Sequence, residues 1–168
     1  FDSIELLSFD YGQKHIIEIK SAKKIINEIE KNFKPFKNKI KNHLIINIKN
    51  LANITKSALT SDIKIDMTTS IPNTFVPGRN LLFYNLAASY AYTKKINDIV
   101  SGVCQTDYSG YPDCRDDTIK TLNKSINLGM ERNFLFHTPL MFLTKADTWE
   151  LSYTLGGEKF VNIILKYT

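Results

Sequence analysis

Short runs of apolar and β-branched residues alternate along this chain with longer stretches whose apolar positions recur every three or four residues. Residues 5–9 (ELLSF) predict a strand, and between 15 and 33 the positions Ile19, Ala22, Ile26, Ile29 and Phe33 make a helical stripe. A second strand is expected at 44–48 (LIINI), and the Thr-, Ser- and Pro-rich stretch 66–78 reads as a long loop. Residues 80–93 are apolar on nearly every side, the pattern of a helix buried between neighbours. A third strand is expected at 99–103, followed by a polar loop over 105–113. Next comes a helix with Asp116 and Asp117 in its first turn, Ile119, Leu122 and Ile126 on one face, and Gly129 as the expected C-cap. Residues 134–136 predict a fourth strand. Thr144 and Asp147 have the spacing of a capping box that opens the last helix, with Gly156 expected to end it.

Strands separated by helices predict an α/β fold with a parallel sheet covered on both faces. Such sheets carry ligands at the carboxyl ends of their strands. The loops after Phe9, Val103 and Phe136, with the long loop ending at Gly78, are therefore expected on one rim.

Composition changes this picture little. With 168 residues, 43% hydrophobic and 23% charged, the chain is long enough for one domain with a sizeable core. No apolar run approaches the about 18 residues that cross a bilayer, and no charged-then-apolar leader opens the chain, so a cytoplasmic location is expected. The first residue is Phe1, which leaves processing, truncation and a gene fragment all open. The net charge of +5 comes with lysines crowded between Lys14 and Lys56, read as a solvated face and not a nucleic-acid patch. Cys104 and Cys114 lack the companion ligands of a zinc site, and both are expected as reduced thiols.

Four loops concentrate the unusual residues. Asp10-Tyr11-Gly12-Gln13-Lys14-His15 suits the lining of a nucleotide or base, with an ordinary capped turn as the alternative. Val76-Pro77-Gly78-Arg79-Asn80 puts a cation at a helix N-terminus, a combination that favours phosphate, or else forms a Pro-Gly turn with a surface Arg. Asp107-Tyr108-Ser109-Gly110-Tyr111-Pro112-Asp113-Cys114-Arg115 offers phenol faces for stacking and carboxylates that accept from ring N–H groups. It is either a pocket for a planar heterocycle or a structural loop. Lys145 stands at a helix start, where the dipole disfavours a cation unless an anion shares the spot, and His137 reads as structural.

LSFDYGQKH, VPGRNLLF, DYSGYPDCR and HTPLMFLTKAD, in that order, resemble the successive motifs of the 7-cyano-7-deazaguanine synthases, from Leu7 to about Gly156. DYSGYPDC is the most diagnostic, and it disfavours another ATP pyrophosphatase such as a tRNA-thiolating enzyme. The resemblance implies an incomplete three-layer α/β sandwich of the ATP-pyrophosphatase group, within the adenine-nucleotide α-hydrolase-like folds. It further implies an ATP-dependent ligase of queuosine biosynthesis that turns 7-carboxy-7-deazaguanine and ammonia into the nitrile, with ATP and Mg²⁺. Arg79 and Lys145 would meet the phosphates and Phe9 would border the adenosine. Asp107, Tyr108, Ser109 and Asp113 would line the deazaguanine pocket. The expected partners are small molecules, with neither nucleic acid nor membrane, and a homodimer is left open.

The family's SGGxDS pyrophosphate loop and its four-cysteine zinc segment do not occur in the 168 residues. The expectation is therefore a single domain truncated at both ends, without zinc ligands and without turnover by itself. A degenerate, non-catalytic fragment of the same enzyme is the alternative.

Overall fold

A computed structural model describes residues 2–13, 17–66, 71–106 and 110–167. The chain forms two compact units, one comprising Phe1–Ile54 with Trp149–Thr168 and the other Thr55–Thr148. The α/β class holds. Among the described residues the strands form two parallel pairs, each inside its own unit, in place of the one expected sheet.

In the first unit, β1 (Ile4–Asp10) pairs in parallel with β2 (Ile40–Asn47), and α1 (Ile17–Asn32) lies between them in the chain. A parallel pair needs a crossover, and the apolar stripe of α1 supplies a helix of the right kind. The turn after β1 is closed by local bonds. The Gly12 amide donates to Asp10 Oδ1 at 3.3 Å, Gln13 Nε2 donates to the Phe9 carbonyl at 3.3 Å, and Lys49 Nζ reaches Asp10 Oδ2 at 3.1 Å. Gly12 is required here: its φ is 83°, and a Cβ would lie 3.0 Å from that of Ala52. The short helix α2 (Asn50–Ile54), which the periodicity did not predict, buries Leu51.

The second unit holds the main core. α3 (Arg79–Lys94) and α4 (Asp116–Met130) pack with β3 (Asp98–Val100) and β4 (Leu135–His137). The buried set is Tyr84, Ala88, Ala91, Ile119, Ile126, Phe134 and Met141. The expectation that α3 is buried all round is corrected: only Asn80, Tyr84, Ala88 and Ala91 are buried, one stripe at helical spacing. The two alanines in this stripe leave room for neighbours to approach, while Leu81 and Tyr92 stay exposed. The Tyr92 ring is covered by the Arg132 guanidinium, 4.3 Å from its centroid.

The C-cap of α4 is Glu131, in the left-handed region at φ 49° and ψ 50°, and not Gly129. The reason is tertiary. The amides of Glu131 and Arg132 both donate to the Asn127 carbonyl, and the Asn127 side chain clasps the backbone of Phe134. Asn127 Oδ1 accepts from the Phe134 amide at 2.7 Å, and Asn127 Nδ2 donates to the Phe134 carbonyl at 3.0 Å. Asn123 Nδ2 donates to the same carbonyl at 3.0 Å. Phe134 is buried, so Asn127→Ala strands its amide and is expected to cost about 1–3 kcal/mol, measured by urea unfolding. A loss near zero would show that water takes over the amide.

The capping box forms as expected. Thr144 Oγ1 accepts from the Asp147 amide at 3.1 Å, and Asp147 Oδ2 accepts from the Thr144 amide at 2.8 Å. The Thr144 hydroxyl, which donates to Asp147 Oδ2 at 2.7 Å, and after it the Thr144 amide hold the Asp147 carboxyl below its ordinary range. The helix they open, α5 (Lys145–Tyr167), is broken at Gly157 (φ 66°, ψ −176°), one residue beyond the expected stop at Gly156. Phe160, past the break, meets Phe33 edge-on at 5.7 Å. Among the described residues no helix is long and apolar enough to cross a membrane.

Candidate functional site

The site is built in the second unit. Because β3 and β4 run parallel, the segments that follow them leave the ladder at the same end. They are bonded together there: the Gln105 amide donates to the Met141 carbonyl at 2.9 Å, and Cys104 Sγ donates to the Leu143 carbonyl at 3.0 Å. Gln105 Oε1 also accepts from the Asp116 amide at 3.0 Å, a cap for α4 that its own N-cap residue, Arg115, does not provide. Tyr84, stacked on Phe136 at 4.6 Å, aims its hydroxyl at Ser101 Oγ. Burial pushes this phenol's pKa up, and the bond to Ser101 opposes the shift.

The Val76-Pro77-Gly78-Arg79 segment is a tight turn closed by the Arg79 amide on the Val76 carbonyl at 3.1 Å, with Gly78 at φ 76° and ψ 0°. Proline second and a left-handed glycine third is the sequence of a type II turn. It leads directly into α3. At the opening of that helix the Asn80 amide donates to Asp113 Oδ2 at 3.1 Å, across 33 residues. Asp113 sits in the 3₁₀ turn Pro112–Cys114 and is 4% exposed.

Three further contacts join the same two segments. Asn80 Nδ2 donates to Cys114 Sγ at 3.0 Å. Arg79 lies 5.8 Å over the Tyr111 ring, and the Tyr111 hydroxyl donates to Thr74 Oγ1 at 2.6 Å. Burial first, then the Asp113 carboxylate, pushes the Cys114 thiol up to about 11, with Arg79 opposing. At pH 8 roughly one thiol in a thousand is then ionised, so iodoacetamide should modify Cys114 far more slowly than a free cysteine. Peptide mass spectrometry of timed alkylation measures this, and prompt labelling of the folded chain would contradict the burial.

The expected site residues fall unevenly. Arg79 and Asp113 are brought together. Lys145 is exposed at the first position of α5, immediately after the Thr144 cap. Phe9 is half-buried in β1, paired with Ile46 in the first unit. Asp107, Tyr108 and Ser109 lie outside the described residues. His137, read as structural, stands with Nε2 2.7 Å from Asp98 Oδ1 on the outward face of the β3–β4 ladder. The residue that sequence reasoning missed is Asn80, which bonds both to Asp113 and to Cys114. The signal was a polar residue, directly after Arg79, on the buried stripe of an otherwise apolar helix.

The sequence profile of queuosine biosynthesis protein QueC matches residues 1–168. Among curated relatives, a 7-cyano-7-deazaguanine synthase of Polaromonas sp. strain JS666 is 44% identical over 169 residues, covering all of this chain and 72% of the relative. The enzyme of the same name from Rhodopseudomonas palustris strain BisA53 is 48% identical, again over the whole chain and 70% of the relative. A third, from Caulobacter vibrioides strain NA1000, is 44% identical over 99% of the chain and 69% of the relative. With the VPGR and YPDC motifs held against each other in one unit and the family pattern matched from end to end, this chain belongs to the QueC family of queuosine biosynthesis proteins.

Proposed function

We propose that this chain carries the substrate-binding part of a 7-cyano-7-deazaguanine synthase, an ATP-dependent ligase built on a three-layer ATP-pyrophosphatase sandwich. The observation that carries the reading is the family match over the entire chain. The joined loops of the second unit support it, because they bring a cation and a heterocycle-type loop to one place.

The reaction makes a nitrile from a carboxylate. Carboxylate oxygen is a poor leaving group, so transfer of AMP from ATP to it, with release of pyrophosphate, gives a carbon that ammonia can attack. Expulsion of AMP leaves the amide. Activating the amide oxygen in the same way, then losing it with AMP and two protons, leaves the carbon–nitrogen triple bond. The partners on this reading are ATP, ammonia and 7-carboxy-7-deazaguanine.

Arg79 is assigned to the phosphates, where a guanidinium makes paired, charge-assisted hydrogen bonds. Lys145, exposed at the start of α5, is the second cation. Asp107, Tyr108 and Ser109 are assigned to the heterocycle, with the expected fourth contact, Asp113, buried against α3. Mg²⁺ would neutralise charge on the phosphates. Among the described residues no group of three or more His, Cys, Asp or Glu side chains is placed to hold a metal ion. The two cysteines do not fit a four-cysteine zinc site.

The test is calorimetry on the 168-residue chain. 7-Carboxy-7-deazaguanine should bind with a one-to-one stoichiometry, and Asp107→Ala and Tyr108→Ala should each weaken it. Unchanged affinity in both folded variants, or equal affinity for adenine, would reject the pocket assignment.

A further inference from the structure

We propose that Tyr111 is a positioning residue for Arg79: its ring, anchored at both ends, is the platform that holds the guanidinium where the phosphates meet it. Arg79 as the phosphate ligand rests on the proposed function. The platform beneath it rests on the geometry of this unit alone.

The backbone end of the tyrosine is set by its neighbours. Proline confines the residue before it to extended torsions, and Tyr111, directly before Pro112, has φ −63° and ψ 122°. The Cys114 amide donates to the Tyr111 carbonyl at 3.1 Å, closing the 3₁₀ turn. The Thr118 hydroxyl of α4 donates to the Pro112 carbonyl at 2.8 Å and ties that turn to the helix.

The far end is held as well. The Tyr111 hydroxyl donates to Thr74 Oγ1 at 2.6 Å, and Thr74 is buried, where a hydroxyl without a partner is costly. Phe75 packs on the same ring, with centroids 5.7 Å apart and planes tilted by 38°. A phenol bonded at its tip and packed along its side has one orientation to offer.

Arg79 meets this ring with its guanidinium carbon 5.8 Å from the centroid, within the reach of a cation–π contact. Arg79 Nε also donates to Asn80 Oδ1 at 3.4 Å, and Asn80 is buried. A long side chain loses torsional freedom when it grips an anion, and one that is already held loses less. The ring therefore raises phosphate affinity without touching phosphate. The same contacts set Tyr111 apart from a stacking platform for the heterocycle, because its hydroxyl is engaged by Thr74 and its ring by Phe75 and Arg79.

Calorimetry with ATP on the 168-residue chain reads the effect, and a double-mutant cycle with Arg79→Ala isolates it. Tyr111→Leu removes the platform and should weaken ATP binding about 3- to 10-fold, the cost of immobilising one such side chain afresh. Tyr111→Phe keeps the ring and should stay within about 2-fold of the parent. In the Arg79→Ala background Tyr111→Leu should change ATP affinity by less than about 2-fold, since no guanidinium remains to be positioned. A loss there as large as in the parent background would give Tyr111 a role of its own and overturn the proposal. So would a parent-like leucine variant, a phenylalanine variant as impaired as the leucine one, or an equal loss of affinity for 7-carboxy-7-deazaguanine.

Through-space NMR contacts between the Tyr111 ring protons and the Arg79 side chain require neither a ligand nor a variant that folds. Their presence in the parent supports the platform, and their absence refutes it. If ATP fails to bind the parent, or binds Arg79→Ala equally well, the phosphate assignment fails, and these contacts alone decide whether Tyr111 holds Arg79.

Discussion

Phe134→Ala is expected to remove about 3–5 kcal/mol of stability, the usual loss for a buried phenylalanine truncated in a packed core. Phe134 is 1% exposed and belongs to the cluster of Tyr84, Ile119, Ile126 and Met141. Its backbone is held on both sides by Asn127, so the segment cannot slide to fill the cavity that the missing ring leaves. Domains of this size have only about 5–15 kcal/mol in total, so the variant should sit near its unfolding threshold at 37 °C. Urea unfolding followed by circular dichroism measures the loss. Phe134→Leu, which fills more of the volume, should recover a good part of it, and an alanine variant within 1 kcal/mol of the parent would mean the core of this unit lies elsewhere.

Arg79→Ala is expected to weaken ATP binding about 10- to 150-fold, the range set by losing hydrogen bonds to a charged group at about 1.5–3 kcal/mol. Arg79 follows the tight turn at Gly78, leans on the Tyr111 ring and is half-buried, so its guanidinium is held near one position. Arg79→Lys keeps the charge but not the planar fork, and should recover only part of the loss. Affinity for 7-carboxy-7-deazaguanine measured alone should change much less than affinity for ATP. Equal losses for both ligands would mean that Arg79 does not act at the phosphates alone.

What could be read from the chain alone was whatever depends on near neighbours. The strands around Leu7 and Ile46, the stripe of α1 and the box between Thr144 and Asp147 involve residues at most a turn or two apart, and all formed where expected. The Pro77-Gly78 turn is of the same kind, since proline and a left-handed glycine fix its two central torsions without help. The family followed from motif order for a related reason: four loops in register are a linear pattern.

Tertiary structure decided the rest, because those choices depend on which distant segments meet. The periodicity of 80–93 is apolar on most sides, yet packing buried only the stripe through Tyr84, Ala88 and Ala91. Glycine is the usual residue after a helix, but the clasp of Asn127 on Phe134 placed the left-handed turn at Glu131. Asp113 carried the sequence signal of a ligand contact, since an acidic residue in a Gly/Pro loop looks the same whether it faces solvent, substrate or a helix end. Only the approach of α3, whose opening amide lacks a local acceptor, turned that carboxylate inward. Local torsions and periodicity are written in the order of residues; the partner of a buried polar group is settled by the fold that brings it there.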